Sequence, residues 1–136
     1  MLKFEEEVIT YRSREIMRIK ATGIFTAEAD RKFYGDITAL LRQPMARHII
    51  SFQEVTEGNI GMLAEKLRYL CESYFTQTGH RLMVCGLNAE MSKAVELYAC
   101  LPNMILVYPN LDVATKQAGL EPSQPRASAT NQEKKD

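Results

Sequence analysis

Residues 47–62 have the sequence RHIISFQEVTEGNIGM, in which an apolar run gives way to polar residues and then to a helical pattern. The run HIISFQ is typical of a short strand near the centre of a sheet. The polar residues after it predict a turn, and Ile60 begins the longest amphipathic helical pattern of the chain. In open α/β sheets, the connection from a strand's carboxyl end to a helix N-terminus is the usual functional position. This junction is therefore the first candidate site.

Strand and helix patterns alternate along the rest of the chain. Residues 2–11 predict a first strand in which Phe4 and Val8 face inward. Residues 16–22 alternate between apolar and polar side chains and predict a second strand that Gly23 ends. Helix and strand patterns then follow in turn, so the predicted order is β-β-α-β-α-β-α-β-α. Gly79 is predicted to end the second helix, LMVCGL (82–87) to form a buried strand, and Asn88 to cap the third helix. We expect a single α/β domain with an N-terminal hairpin, a mixed sheet and about four helices.

Length and composition are those of one globular domain. The chain has 136 residues, and its 17 basic and 17 acidic residues balance, which argues against nucleic-acid binding. No apolar run reaches membrane-spanning length, and the N-terminus carries consecutive glutamates instead of a signal peptide. We therefore expect a cytoplasmic protein with no direct membrane insertion. Residues 1–119 predict the folded domain, and the polar composition of residues 120–136 predicts a disordered tail.

The sequence contains no constellation typical of catalysis. Cys71, Cys85 and Cys100 lie among apolar residues without CxxC spacing, which favours buried, reduced thiols. His48 and His80 have no Ser, Cys or carboxylate partner at motif spacing, so structural roles are favoured for both. No phosphate-binding glycine motif occurs. These observations predict a binding module that is not an enzyme and that uses no cofactor and no metal.

The polar residues after the apolar strand have two interpretations. The segment Thr56-Glu57-Gly58-Asn59 leads into a helix that carries Gly61 in its first turn, where glycine lowers helix stability. A functional interpretation is that another molecule approaches the backbone closely here. The alternative is an ordinary surface turn in which Asn59 caps the helix. The residues alone leave both open.

Three segments resemble the STAS domain, the fold of anti-sigma factor antagonists. The segment IMRIKATG (16–23) resembles that family's second strand, and RHIISFQEV (47–55) resembles its central strand. The segment TGHRLMVCGLNAEMSKAVELYACLPNMILVYPNLDVA (78–114) resembles its C-terminal half. The resemblance implies a protein-interaction module of bacterial signalling and transcription regulation. Its partner would be an anti-sigma factor of the serine-kinase ATPase type, and a homodimer stays open.

The family's regulatory motif is absent from this chain. Regulatory members carry Asp-Ser-Ser-Gly at the start of the second helix, and the kinase phosphorylates the first serine. In ungapped register Gly61 stands at the acceptor position, within Ile60-Gly61-Met62-Leu63; in a gapped register Glu57 stands there. Neither residue carries a hydroxyl, so the resemblance implies partner binding without the usual switch. With Gly61 at that position the chain resembles a permanently unmodified, binding-competent form, whereas with Glu57 it resembles a phosphorylated one.

The resemblance places the partner-binding surface on six residues, Thr56, Glu57, Gly58, Asn59, Gly61 and Met62. Two alternative functions use the same fold. One is a regulatory subunit of a membrane transport system, in which the partner would be a transporter subunit. The other is a small apolar-ligand or lipid-binding domain, which needs a cavity among Phe33, Leu67, Tyr74 and Met83.

Overall fold

The computed structural model describes residues 3–25, 29–58, 60–97 and 105–120. The strands are β1 (Lys3–Tyr11), β2 (Arg14–Phe25), β3 (Arg47–Gly58), β4 (Leu82–Cys85) and β5 (Ile105–Tyr108). The helices are α1 (Ala29–Leu41), α2 (Ile60–Thr78), α3 (Ala89–Leu97) and α4 (Leu111–Leu120). The order along the chain confirms the predicted one.

The five strands form one mixed sheet in the order β1-β2-β3-β4-β5. The hairpin β1–β2 is antiparallel, and β2, β3, β4 and β5 run parallel. The hairpin turn places Arg12 and Ser13 at φ angles of 53° and 67°, the left-handed conformation that tight hairpin turns require. The mixed sheet with an N-terminal hairpin was therefore predicted correctly.

Helices cover both faces of the sheet, so apolar side chains are buried on each. The larger core packs α1, α2 and α3 against one face and includes Ile37, Leu70, Tyr74, Phe52 and Val95. The smaller core packs α4 against the other face and includes Ile16, Ile49, Met83, Ala114 and Ala118. Because β3 and β4 contribute side chains to both cores, they have the continuous apolar sequences that sequence analysis assigned to central strands.

Two local predictions were wrong. Val8 does not face a core, because its side chain is 46% exposed on the edge strand β1, while Phe4 does pack against the larger core. Gly23 does not end β2, which continues to Phe25. The glycine adopts a φ of 119° beside a register shift in the pairing with β3. It is thus an irregularity within the strand, where positive φ favours glycine.

Helix ends agree with the predicted signals. Gly79 follows α2 with a φ of 78°, and its N–H donates to the carbonyl of Phe75 at 2.8 Å. Asn88 precedes α3, and its Oδ1 accepts from the N–H of Met91 at 2.8 Å. Both ends are therefore satisfied locally. No helix within the described ranges is long and apolar enough to span a membrane.

Candidate functional site

The junction between β3 and α2 is sharper than the sequence predicted. Residues 56–58 were expected in a turn, but β3 extends through Gly58 and α2 begins at Ile60. The backbone of Glu57 pairs with Ile24, and that of Gly58 pairs with Phe25. Because β2 continues past its irregularity at Gly23, it provides a parallel partner for these polar residues. They therefore belong to the strand, and a single residue connects it to the helix.

Two edges of the sheet can be defined from the parallel strands β2–β5. The carboxyl edge holds the carboxyl ends of these strands and the N-termini of the helices that follow them. The amino edge holds the opposite ends. Thr56, Glu57 and Gly58 end β3, and Gly61 and Met62 lie in the first turn of α2. The predicted partner-binding residues whose backbone is described thus share one junction on the carboxyl edge.

Asn59 lies outside the described residues, and so do the side-chain environments of the other predicted partner-binding residues. Their backbone placement at a strand-to-helix junction is the arrangement that sequence analysis expected for a functional position. Their contact with a partner stays a prediction.

Beside this junction, on the carboxyl edge, the backbone after β4 packs directly against β3. Gly86, directly after β4, has a φ of 75°. A Cβ added there would lie 2.8 Å from both the backbone nitrogen and the Cβ of Gln53 in β3. The Gly86 N–H also points to the carbonyl of Tyr108 at 3.3 Å. The connection after β4 therefore lies against β3, close to the candidate site.

Gly86 was not singled out from the sequence. The available signal was a glycine directly after the apolar run LMVC and two residues before the helix cap Asn88. Such a glycine indicates a close backbone approach or a left-handed turn, and both are present here.

Neutral side chains cap the two helices of the carboxyl edge, α3 and α4, whose preceding residues the structure describes. Asn110 Oδ1 accepts from the N–H of Val113 at 2.9 Å at the start of α4, as Asn88 does at the start of α3. Glu54 of β3 is exposed, and its carboxylate lies 3.5 Å from the ammonium of Lys20 on β2. An ion pair this exposed contributes little to stability, so these side chains remain accessible to solvent and to a partner.

The two histidines lie at the amino edge, away from the candidate site. His48 is 2% exposed. Its Nε2 lies 3.0 Å from the carbonyl of Gln43, and its Nδ1 lies 3.1 Å from the Tyr74 hydroxyl. Since a carbonyl only accepts, Nε2 carries the proton and Nδ1 accepts from the hydroxyl. The structural role predicted for His48 is confirmed.

Burial keeps His48 neutral. Burial, with a smaller contribution from the nearby charge of Arg47, lowers the pKa of this imidazole from 6.5 to about 4 against the opposing effect of hydrogen bonds to backbone carbonyls. Burial also raises the pKa of Tyr74. A histidine whose two ring nitrogens are both engaged and which is neutral near pH 7 supports packing and has no free nitrogen for substrate.

Arg47 is a buried charge that sequence analysis treated only as the beginning of a strand. Its side chain is 1% exposed, and Nη2 donates to the carbonyl of Arg81 at 3.0 Å. Nη1 lies 3.5 Å from Nδ1 of His80. Arg47 therefore connects the beginning of β3 to that of β4. No sequence signal distinguished it from a surface arginine.

The described cysteines are buried thiols. Cys71 packs in the larger core and Cys85 in the smaller one, and both are free. Burial raises the pKa of Cys85, opposed by a hydrogen bond with Ser51. The prediction of buried reduced thiols is confirmed for these two, and Cys100 lies outside the described residues. Among the residues that the structure describes, no group of three or more His, Cys, Asp or Glu side chains could hold a metal ion.

Comparison with known proteins identifies the fold. No protein-family model matches the chain, and no curated protein matches its sequence. A protein of Thermotoga maritima assigned as an anti-sigma factor antagonist matches its structure with a TM-score of 0.68 at 10% identity, over 85% of this chain and 93% of that chain.

Two further solved structures agree. A Shewanella loihica protein of the DUF3478 family, described as having a SpoIIAA-like fold, matches with a TM-score of 0.57 at 13% identity, over 87% of this chain and 95% of that one. The phosphorylated form of SpoIIAA, a Bacillus cell fate determinant, matches with a TM-score of 0.56 at 16% identity, over 85% and 98%. SpoIIAA is itself an anti-sigma factor antagonist. The chain therefore has the fold of the anti-sigma factor antagonists, which is the STAS fold that its sequence resembles.

Proposed function

We propose that this chain is a non-catalytic regulatory module that binds a protein partner at the junction of β3 and α2. The observation that carries the proposal is the combination of an anti-sigma factor antagonist fold with a sharp strand-to-helix junction at its carboxyl edge. The surface comprises Thr56, Glu57, Gly58, Asn59, Gly61 and Met62. The partner is an anti-sigma factor of the kinase-type ATPase fold, and binding it releases whatever that partner inhibits.

The proposed mechanism differs from that of the phosphorylated relative. SpoIIAA exists in a phosphorylated form, whereas this chain has Gly61 or Glu57 at the position expected for the acceptor serine. A phosphate near a packed interface weakens binding through charge and desolvation. With Gly61 at the acceptor position the chain stays competent to bind, so its regulation depends on the amount of each protein.

The binding experiment uses affinity capture from a lysate of the source cells. Wild type is compared with Gly61→Glu, which places a carboxylate in the first turn of α2. Gly35→Glu is the matched control, because Gly35 is exposed on α1 and an added Cβ meets nothing within 4 Å. We expect an ATPase of the kinase type with wild type and the control. Loss of affinity by roughly tenfold or more is expected for Gly61→Glu.

Either of two results would contradict this proposal. Equal capture by wild type and Gly61→Glu would remove the junction from the interface. A phosphate on Thr56, detected by mass spectrometry of the chain purified from its cells, would show that a switch is present. Capture of transporter subunits in place of an ATPase would favour the membrane transport alternative.

The cavity predicted for an apolar ligand is not formed by the residues named for it. Leu67 and Tyr74 pack in the larger core, whereas Met83 packs in the smaller core across the sheet. The four residues named for that cavity therefore cannot surround one ligand, and the side chain of Phe33 lies outside the described residues. The gap between α1 and α2 beside Tyr74 has a volume of about 10 Å³, room for no more than a water molecule.

A further inference from the structure

The amino edge of the sheet concentrates positive charge. Its described connections are the β1–β2 turn (residues 11–15), the segment before β3 (42–46), the segment before β4 (79–81) and the end of α4 (118–120). They carry one glutamate, Glu15, and four arginines, Arg12, Arg14, Arg42 and Arg81, while Glu96 in the last turn of α3 is a second acidic residue at this edge. These four arginines are called the basic edge below. Because the whole chain is neutral, the remainder has an excess of acidic residues.

Direct contacts hold these connections together. Arg14 Nη1 donates to the carbonyl of Ala118 at 3.1 Å, which fixes the hairpin turn to the end of α4. The N–H of Ala46 donates to the carbonyl of Glu15 at 2.9 Å, which joins that turn to the segment before β3. Arg47 Nη2 then reaches the carbonyl of Arg81 at 3.0 Å. These contacts join the hairpin turn to the end of α4 and to the segment before β3, and they join the beginning of β3 to the segment before β4.

Helix geometry accounts for only part of this charge. Cations are favoured near helix C-termini, and Arg14 satisfies a carbonyl at the end of α4. Arg42 and Arg81 are exposed, and their side chains make none of the hydrogen bonds or ion pairs formed among the described residues. Those ion pairs join Arg18 to Glu7, Lys20 to Glu54, Arg68 to Glu72 and Lys116 to Asp112, along strands and helices. Two guanidinium groups thus remain available to an anionic partner.

The sequence between α3 and β5 and the sequence after α4 carry no net charge. Residues 98–104, which link α3 to β5, contain no charged residue. Residues 121–136, which follow α4, contain three basic and three acidic residues. The excess of positive charge at the basic edge is therefore unchanged when the charges of these two segments are added to the count.

We propose that the basic edge binds an anionic phospholipid surface. Guanidinium groups form paired hydrogen bonds with phosphate oxygens, and every cation of the basic edge is an arginine. Leu120, at the end of α4, is 58% exposed beside them, and an apolar residue among cations suits the membrane interface. A nucleic acid would require a larger basic surface than four arginines on a neutral chain.

The charge distribution also determines the orientation on the membrane. The acidic remainder of the chain is repelled by an anionic surface, so the amino edge faces the lipid. The carboxyl edge, with the junction of β3 and α2, then faces away and stays open to a protein partner. Membrane binding and partner binding therefore use opposite edges and can fail independently.

The test is co-sedimentation of the full chain with vesicles. Mixed phosphatidylcholine and phosphatidylglycerol vesicles are compared with phosphatidylcholine vesicles at low and at high salt. The variant Arg42→Gln/Arg81→Gln is compared with the control Lys93→Gln/Lys116→Gln, which removes the same charge from α3 and α4. Thermal melting of each variant checks that it is folded.

We expect wild type and control to bind only the anionic vesicles and to dissociate at high salt. The arginine variant should bind roughly thirtyfold more weakly, because each basic residue near an anionic surface contributes about a factor of five. Absence of binding at low salt, or an equal loss in the lysine control, would overturn the proposal. Binding of polyglutamate or RNA without binding of vesicles would also overturn it.

Discussion

The two edges of the sheet differ in how side chains form hydrogen bonds with the backbone groups of helix ends and strand connections. At the amino edge, Arg14, Arg47 and His48 donate hydrogen bonds to backbone carbonyls. At the carboxyl edge, the amide oxygens of Asn88 and Asn110 accept from backbone N–H groups. Unpaired backbone carbonyls lie where helices end, and unpaired N–H groups lie where they begin. The amino edge therefore favours donor side chains, and the carboxyl edge favours acceptor side chains.

The difference explains why the edges suit different partners. Two of these three donors, Arg14 and Arg47, are cationic, whereas His48 is neutral, so capping supplies part of the positive charge of the amino edge. Acceptors that satisfy N–H groups here are neutral amides, so the carboxyl edge depends on shape and on close backbone packing around Gly86. We therefore propose a protein partner for the carboxyl edge and an anionic surface for the amino edge.

The strongest test of close packing at the carboxyl edge is Gly86→Ala. The substitution adds a Cβ at 2.8 Å from the Gln53 backbone and forces alanine into a φ of 75°. Strain of this kind costs about 2 kcal/mol, and overlap in a packed region costs about 2 kcal/mol more. We expect the free energy of unfolding, measured in urea, to fall by about 4 kcal/mol. A loss below about 1 kcal/mol would show that the connection after β4 moves freely.

The amino edge should respond most to pH. Because the pKa of His48 falls to about 4 in the folded chain, the unfolded state binds a proton that the folded state does not between about pH 6.5 and 4. Stability from this residue is fully present above pH 6.5 and decreases as the pH falls through that window. The total loss should be about 3 kcal/mol.

Urea unfolding of wild type and His48→Gln across this pH window separates the effect of His48 titration on stability from the effect of carboxylate titration. The glutamine amide can still donate to the Gln43 carbonyl but does not titrate. We expect a shallower pH dependence in the variant. Parallel curves for the two proteins would mean that His48 is accessible to protons in the folded state.

Alanine substitutions at two helix glycines compare a packed position at the amino edge with an open helix surface. A Cβ on Gly119 would lie 2.3 Å from the Tyr11 ring, whereas a Cβ on Gly35 meets nothing within 4 Å. Gly119→Ala should therefore destabilise the fold by about 2 kcal/mol. Gly35→Ala should stabilise it by about 0.5–1 kcal/mol, because alanine favours helix over glycine. Thermal melts that rank the two variants in reverse would contradict the contact between α4 and the hairpin.

The smallest expected effect concerns the neutral caps. Asn88→Ala removes the acceptor for the Met91 N–H, and Asn88→Ser retains a hydroxyl acceptor as the control. We expect the alanine variant to lose about 1 kcal/mol and the serine variant to stay within a few tenths of wild type. Equal values for both variants in urea unfolding would show that water replaces the cap.

Much of the fold was predictable because its signals are local. Alternation of apolar residues and the long helical pattern after Ile60 identified the elements and their order, and Gly79 and Asn88 marked helix ends. The errors occurred where pairing between strands overrides composition. The polar residues Thr56 to Gly58 lie in β3 because the backbone of β2 is available beside them. Val8 is exposed because an edge strand is covered only in part.

The position of the candidate site in the fold was predictable from the sequence, but its contacts were not. A strand-to-helix connection in an α/β sheet marks the carboxyl edge, and the chain has the fold of the anti-sigma factor antagonists. The basic edge was not predictable, since its four arginines come from separate connections. The net charge of the chain is zero and therefore gave no sign that basic residues are concentrated at one edge of the sheet.

The sequence by itself determined the alternation of elements, the buried character of β3 and β4, and the lack of a hydroxyl at the expected acceptor position. These are properties of residue type and spacing, which local physics controls. Only the tertiary structure decided that Gly86 lies against Gln53, that Arg47 and His48 are buried, and that separate arginines share one edge. Those features depend on contacts between residues that are distant in the chain, and such contacts follow from the order of the strands.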